Sequence, residues 1–363
     1  MPPAVSDRRQ QIQDARQRGL MQGQLDASVG VDPWLLASWE RCMAWGHRPS
    51  DRVDFEPISL GDVSARTQAN QPLIHAARPV VSQLLDTLSD TRYFAVVTDS
   101  AGIVIDAHGP SIGRDRRARD IARLGVDLSE QAVGTTAIAG ALRERRPVWL
   151  HQGEHYFQHN TVYSCAGAPL IGPSGDCLGM LDLTGVEVRE RPELKHLVAR
   201  AALQIENAMA RQTPHQLLVR LNWLGERLGH DNDGLLTLDG DGTLVGANST
   251  ARELLGHTLR GSDGSPIHAQ DVLAVPYAHL FDLAATPGPH SIPTWNGLHL
   301  SVACSRPDHP AHHAPTTRTP LRKLEDAVIR QAVQEAKGNV TLAAQRLGIG
   351  RATVYRRLQA AQR

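Results

Sequence analysis

The chain has 363 residues, 41% of them apolar but only 4% aromatic, and a formal net charge of zero. That length suits two or three domains with aliphatic cores. No apolar run approaches the ~20 residues of a membrane span, the N-terminus lacks the apolar core of a signal peptide, and Cys42, Cys165, Cys177 and Cys304 are scattered without CxxC or zinc-finger spacing. These features argue against a helical membrane protein, a secreted disulfide scaffold and a zinc finger. They predict a cytoplasmic protein in a reducing compartment.

Residues 1–80 read as helices with polar surfaces. In VDPWLLASWERCMAWG (31–46), Pro33 suits a first helical turn, and Trp34, Leu35, Ser38, Trp39 and Cys42 recur at helical spacing, as in a packing helix. From about residue 84 the pattern becomes β-rich. YFAVVTD (93–99), a turn at 100–102 and IVIDAHG predict a hairpin. LSEQAVGTTAIAGALRERR predicts one helix opening near Ser129, a good N-cap. PVWL (147–150), the segment 164–170 and CLGMLDLTG predict three strands, with a turn at 172–175, and a long helix covers about 192–210. Strands closed by a long helix indicate an α+β sensor fold.

Residues 232–256 continue with NDGLLTLDGDGTLVGANSTARELLG. Apolar alternation around Asp239-Gly240-Asp241-Gly242 predicts a second hairpin, and a short helix follows Asn248. GLHLSVACS (297–305) reads as a closing strand. RPDHPAHHAPTTRTP is a Pro/His/Thr-rich linker that cannot build a core.

The C-terminal segment GNVTLAAQRLGIGRATVYRRLQ (338–359) reads as two short helices joined at Gly348. Asn339 caps the first, and Val354 and Leu358 face inward on the second. Arg351, Thr353, Tyr355, Arg356 and Arg357 are left outward, as on a recognition helix in a DNA major groove. The alternative is a surface hairpin with solvated arginines. From Arg318 onward there are 10 basic and 3 acidic residues, against 28 and 35 in the rest, a basic tail on an acidic body. In the preceding helix, Leu321, Leu324, Val328 and Ala332 form an apolar stripe that predicts a homodimer on a palindromic operator.

Four stretches resemble known families. SWERCMAWG (38–46) is similar to the N-terminal signature of acetoin-catabolism-type bacterial regulators. LSEQAVGTTAIAGAL, GEHYF and SCAGAPLIGPSGDCLGMLDLTG resemble, in order and spacing, the GAF sensor domain of that subgroup. Departures are Thr136, where asparagine is common, and the run Cys165-Ala166-Gly167-Ala168-Pro169. The segment 321–358 resembles the Fis-type DNA-binding domain that closes such regulators; Gly350 replaces the usual serine or asparagine cap. Residues 232–256 resemble the opening of a PAS-like module, a generic α+β spacer being the alternative. The resemblance implies a small-molecule effector, double-stranded DNA and, as a candidate partner, RNA polymerase. Most such regulators carry a sigma-54-remodelling ATPase between sensor and DNA-binding tail. This chain has no G-x-x-x-x-G-K-[ST] loop and passes almost directly from 305 to 321.

The expectation is therefore a multidomain α+β protein: helical region 1–80, GAF-like sensor 81–212, PAS-like module 213–305, linker 306–320 and helix-turn-helix domain 321–363. Arg351, Thr353, Tyr355 and Arg356 would meet bases or nearby phosphates, and Arg357 and Lys337 phosphate. Trp149, His155, Phe157, Tyr163 and Cys165 are the candidate effector contacts, for a small, partly apolar metabolite. No cofactor and no metal is expected. The alternative chemistry would be a metal held by His151, His155 and His159, whose i, i+4, i+8 spacing would align on a helix. A second alternative is a degenerate regulator that pairs with full-length relatives. Cys165 and Cys177 flank the 172–175 turn; as buried thiols they act as small hydrophobes, or as a redox pair if register brings them together. DGDGTLVGANST lacks the ligands of a calcium loop and reads as a turn.

Overall fold

The protein, a computed structural model, is described for residues 5–21, 31–88, 91–256, 259, 261, 264–307 and 340. The chain divides into two compact units, Met1–His309 and Pro310–Arg363, and the description concerns the first. The recognition-helix candidates and Lys337 lie outside the described residues.

The first unit opens with α1 (Val5–Arg16), α2 (Pro33–Ala44), α3 (Leu60–Ala69) and α4 (Gln71–Thr87). Asp32 and Pro33 start α2 as cap and first-turn residue. Five strands follow: β1 (Tyr93–Asp99), β2 (Val104–His108), β3 (Val148–His151), β4 (Tyr163–Ile171) and β5 (Cys177–Val186). They form an antiparallel sheet in the order β2-β1-β5-β4-β3. Between β2 and β3 lie four short helices, α5 (Ser111–Arg114), α6 (Arg116–Ile121), α7 (Glu130–Val133) and α8 (Ala137–Glu144).

The single helix expected from Ser129 onward is two. Ser129 caps α7, but Gly134 takes a φ of +70° and ends it, and Thr136 then caps α8 by accepting from the Ala139 amide at 3.1 Å. Side-chain alternation splits the first sheet into two cores. Phe94, Val96, Val148, Leu150, Cys165 and Met180 pack with α2 and α8, whereas Ala95, Val97, Trp149, Ala166, Leu181 and Leu183 pack with α4 and α9 (Leu194–Gln212). With both faces covered, the strands read as apolar runs instead of strict alternation.

After α9 come β6 (Leu217–Trp223), β7 (Gly234–Leu238), β8 (Leu244–Ala247), α10 (Ser249–Leu255), α11 (Ala269–Val272), α12 (Tyr277–Leu283), β9 (His290–Pro293) and β10 (His299–Ser305). The second sheet is also antiparallel, in the order β8-β7-β6-β10-β9. If β6 is counted as its last strand instead of its first, this order becomes that of the first sheet. The second module thus repeats the first with the closing strand moved to the front.

The hairpins support the equivalence. Asp99 and Asp239 each accept two amides with one carboxylate oxygen, from Ala101 and Ile103 and from Asp241 and Thr243 respectively. Gly102 and Gly242 take φ of +87° and +86°, a conformation open to glycine. The predicted hairpin at 235–245 and the closing strand at 297–305 are found as β7–β8 and β10. The central strand β6 was not expected, although LLVRLNW alternates: Leu217, Val219 and Leu221 enter the core under α10–α12.

Candidate functional site

The first core is incompletely filled where β1, β4 and β5 face α6–α8. Val96, Tyr163, Cys165 and Thr184 line a cavity from the sheet, Ile121, Val133, Thr136, Ala137 and Ile138 from the helices, and His155, Asn160 and Phe55 from the covering segments. Its free volume is about 20 Å³, room for little more than one water. The walls nevertheless carry a line of polar groups. The Thr184 hydroxyl donates to Asp182 Oδ2, Cys165 Sγ lies 3.4 Å from Thr184 Oγ1, and His155 Nε2 lies 3.9 Å from that sulfur. His155 Nδ1–H donates to the Gln152 carbonyl at 3.0 Å, which leaves Nε2 as an acceptor. Asn160 donates to the Val133 carbonyl at 2.9 Å. Asn160 Oδ1 and Asp182 Oδ1 are buried with no donor among the described residues. Such buried acceptors are expensive unless a donor arrives.

Burial governs the charge states here. It pushes Asp182 up to about 7, against the Thr184 hydroxyl, which pulls the other way. It pushes His155 down to about 4 and raises the Cys165 thiol well above its ordinary value, with Asp182 adding to the latter. The stability consequences oppose each other. Asp182 has a folded value above its unfolded one, so its contribution is fully present below about pH 4 and is lost as pH rises through about 7. His155 has a folded value below its unfolded one, so its contribution is present above about pH 6.5 and is lost as pH falls through about 4. Asp182→Asn removes only the first slope. Its urea midpoint is expected to climb more steeply between pH 4 and 7 than that of the parent chain; parallel curves would refute the assignment.

Of the effector candidates, Tyr163, His155 and Cys165 line the cavity. Phe157 sits in the same core, beneath Gly134, where a Cβ would come within 2.8 Å of its ring. Trp149 does not join them. Strand β3 turns it to the opposite face, into the α4/α9 core, stacked on His151 with ring centroids 6.0 Å apart. The histidines do not converge either. His151 binds Ser164 Oγ through Nδ1 at 2.6 Å on that opposite face, His155 lines the cavity, and His159 is exposed near Phe55. The strand and two short 3-10 turns replace the helix that their spacing needed. Among the described residues no three His, Cys, Asp or Glu side chains form a metal-holding group. The redox pairing fails on register, because Cys165 lies opposite Thr184 and Cys177 opposite Ile171, at different ends of the β4–β5 ladder. Sequence reading passed over Asp182, Thr184 and Asn160. The available signal was one carboxylate inside the apolar run GMLDLTG.

Fold and cavity together define a class: an α+β body of two related five-stranded modules, the first enclosing a small, mostly apolar cavity. The chain belongs to the family described as MimR, N-terminal domain, which matches residues 9–207, more than half of its length. Residues 320–360 match the bacterial regulatory protein, Fis family, a segment that takes in all six DNA-contact candidates. It is 30% identical over 236 residues to the propane 2-monooxygenase operon transcriptional activator MimR of Mycolicibacterium goodii, covering 64% of this chain and 39% of that one. It is 27% identical over 261 residues to the acetoin catabolism regulatory protein of Cupriavidus necator, covering 70% and 39%. The crystal structure of the E. coli DhaR(N)–DhaL complex aligns with a TM-score of 0.46 at 13% identity, over 76% of this chain and 100% of that one. The chain thus spans about two fifths of the length of these curated relatives. Among the described residues no helix is long and apolar enough to cross a membrane.

Proposed function

We propose that this protein is an effector-responsive transcription regulator that acts without ATP hydrolysis. The observation that carries the reading is the order of matches: a MimR N-terminal-domain segment at 9–207, a Fis-family segment at 320–360, and no phosphate loop in the sequence. The proposed division is 1–80, 81–212, 213–305, linker 306–320 and 321–363. The effector enters the cavity between the first sheet and α6–α8, where Tyr163, His155 and Cys165 contact it. A homodimer binds a palindromic operator through Arg351, Thr353, Tyr355 and Arg356, with Arg357 and Lys337 on phosphate. The names of the relatives, both regulators of catabolic genes, support transcriptional control as the output.

An effector shifts DNA occupancy only by its differential affinity for two sensor states, typically ~1–3 kcal/mol of coupling. A route for that shift is α9. Its apolar face packs on the first sheet, while Glu206 accepts the amides of both Ile171 and Ser249, at 3.2 and 3.0 Å, and Asn207 Oδ1 accepts from Asn248 Nδ2 at 2.7 Å.

The test uses the purified full chain. It is expected to bind its operator as a dimer by light scattering, to show no ATP turnover, and to regulate a reporter in a strain lacking sigma-54. ATP hydrolysis, or regulation that disappears without sigma-54, would overturn the mechanism. A second reading, association with full-length relatives, is favoured by the absence of a phosphate loop between the two family matches. It predicts no operator binding by the chain alone.

A further inference from the structure

The segment that covers the cavity is held from outside by the N-terminal arm. Four consecutive carbonyls, those of residues 153–156, accept from two side chains of that arm. Arg16 donates to Gly153 O at 2.9 Å, to His155 O, and to Tyr156 O at 3.0 Å, and Trp39 Nε1 donates to Glu154 O at 3.0 Å. Arg8 adds an ion pair to the buried Glu154 at 2.5 Å, and Ile12 lies against Gly153. The arm's two helices are fixed differently. Helix α2 sinks Trp34, Leu35, Leu36, Trp39 and Cys42 into the core, whereas α1 buries only Ile12 and Ala15 among its described residues. So α2 is part of the body, while α1 is held mainly through two arginines. Polar contacts of that kind exchange with water at little net loss, unlike buried aromatic rings.

We propose that α1 is a strap that keeps the cavity shut, and that its release admits the effector. A cavity of about 20 Å³, with Asn160 Oδ1 in its wall buried and lacking a donor among the described residues, is too small for a metabolite in the closed state. His155 stands at the junction, with its ring in the cavity and its carbonyl under Arg16. Releasing Arg16 frees three carbonyls at once and lets the ring swing out with its backbone. The inference rests on the cavity being the effector site, but its test reads opening without any effector.

Cys165 lines the cavity, so its alkylation rate by iodoacetamide, followed site by site by peptide mass spectrometry, reports opening. In the full chain, Arg16→Ala and Arg8→Ala are expected to speed Cys165 labelling at least tenfold. Cys304, in the second module, and Arg78→Ala, an exposed ion pair on Asp106, serve as controls and are expected to change nothing. Unchanged Cys165 labelling in both variants would overturn the strap. So would parallel acceleration of Cys165 and Cys304, since α1 would then hold the fold and not the cavity. Native hydrogen exchange on the unmodified chain gives a check that needs no variant. Amides of α1 and of 152–157 are expected to open together, well before those of β4 and β5. Protection of 152–157 equal to that of β4 and β5 would refute the proposal. If the strap is confirmed yet no effector binds, the functional reading fails while the strap stands.

Discussion

Trp39→Ala is expected to lower the stability of the first module by about 3–5 kcal/mol. Trp39 is 0% exposed, the largest fully buried side chain in the core between α2 and the first sheet. Truncation leaves a cavity there, and it also strips the Glu154 carbonyl of the indole N–H that satisfies it at 3.0 Å. A buried carbonyl without its donor adds about 1–3 kcal/mol of that loss. Trp39→Phe, which keeps most of the volume but removes the N–H, should fall in between. Urea denaturation followed by far-UV circular dichroism measures both. A loss under about 1 kcal/mol for the alanine variant would mean that α2 is not integral to this core.

The second large effect is on DNA. Arg351→Ala and Arg356→Ala are each expected to weaken operator binding by about 1–3 kcal/mol, because a bidentate arginine–base contact is worth that much discrimination. Arg357→Ala is expected to weaken all sequences alike and to flatten the salt dependence, the signature of a phosphate contact. A gel-shift series across salt separates the two behaviours. Equal, sequence-independent losses for all three arginines would remove the base-reading role from Arg351 and Arg356.

Local signals in the sequence carried the elements whose chemistry is local. The β1–β2 and β7–β8 hairpins were legible because an aspartate and a glycine specify each turn. The caps Ser129 and Asn248 were legible for the same reason. What escaped depended on distant partners. Strand β6 has no turn signal of its own and is placed by pairing both with β7 and with β10, the latter some eighty residues away. The break between α7 and α8 was a Gly-Thr-Thr run read as helix interior, where Thr136 is in fact a cap. In the candidate site, His155, Tyr163 and Cys165 line the cavity, whereas strand phase turns Trp149 to the opposite face, and β3 is too short to reveal its phase from sequence. Asp182 was overlooked because an apolar strand motif reads as packing until its neighbours are known.

The forward position of β6 determines where such proteins can be recombined. Helix α9 leads into the middle strand of the second sheet, and its Asn207 completes the hydrogen bonding of Asn248, the cap of α10. A graft joined at residue 212 would therefore hand the downstream module a foreign helix and leave Asn248 Nδ2 with the Asp233 carbonyl but without Asn207. A unit of exchange that ends at Ser305 keeps α9 and both sheets together.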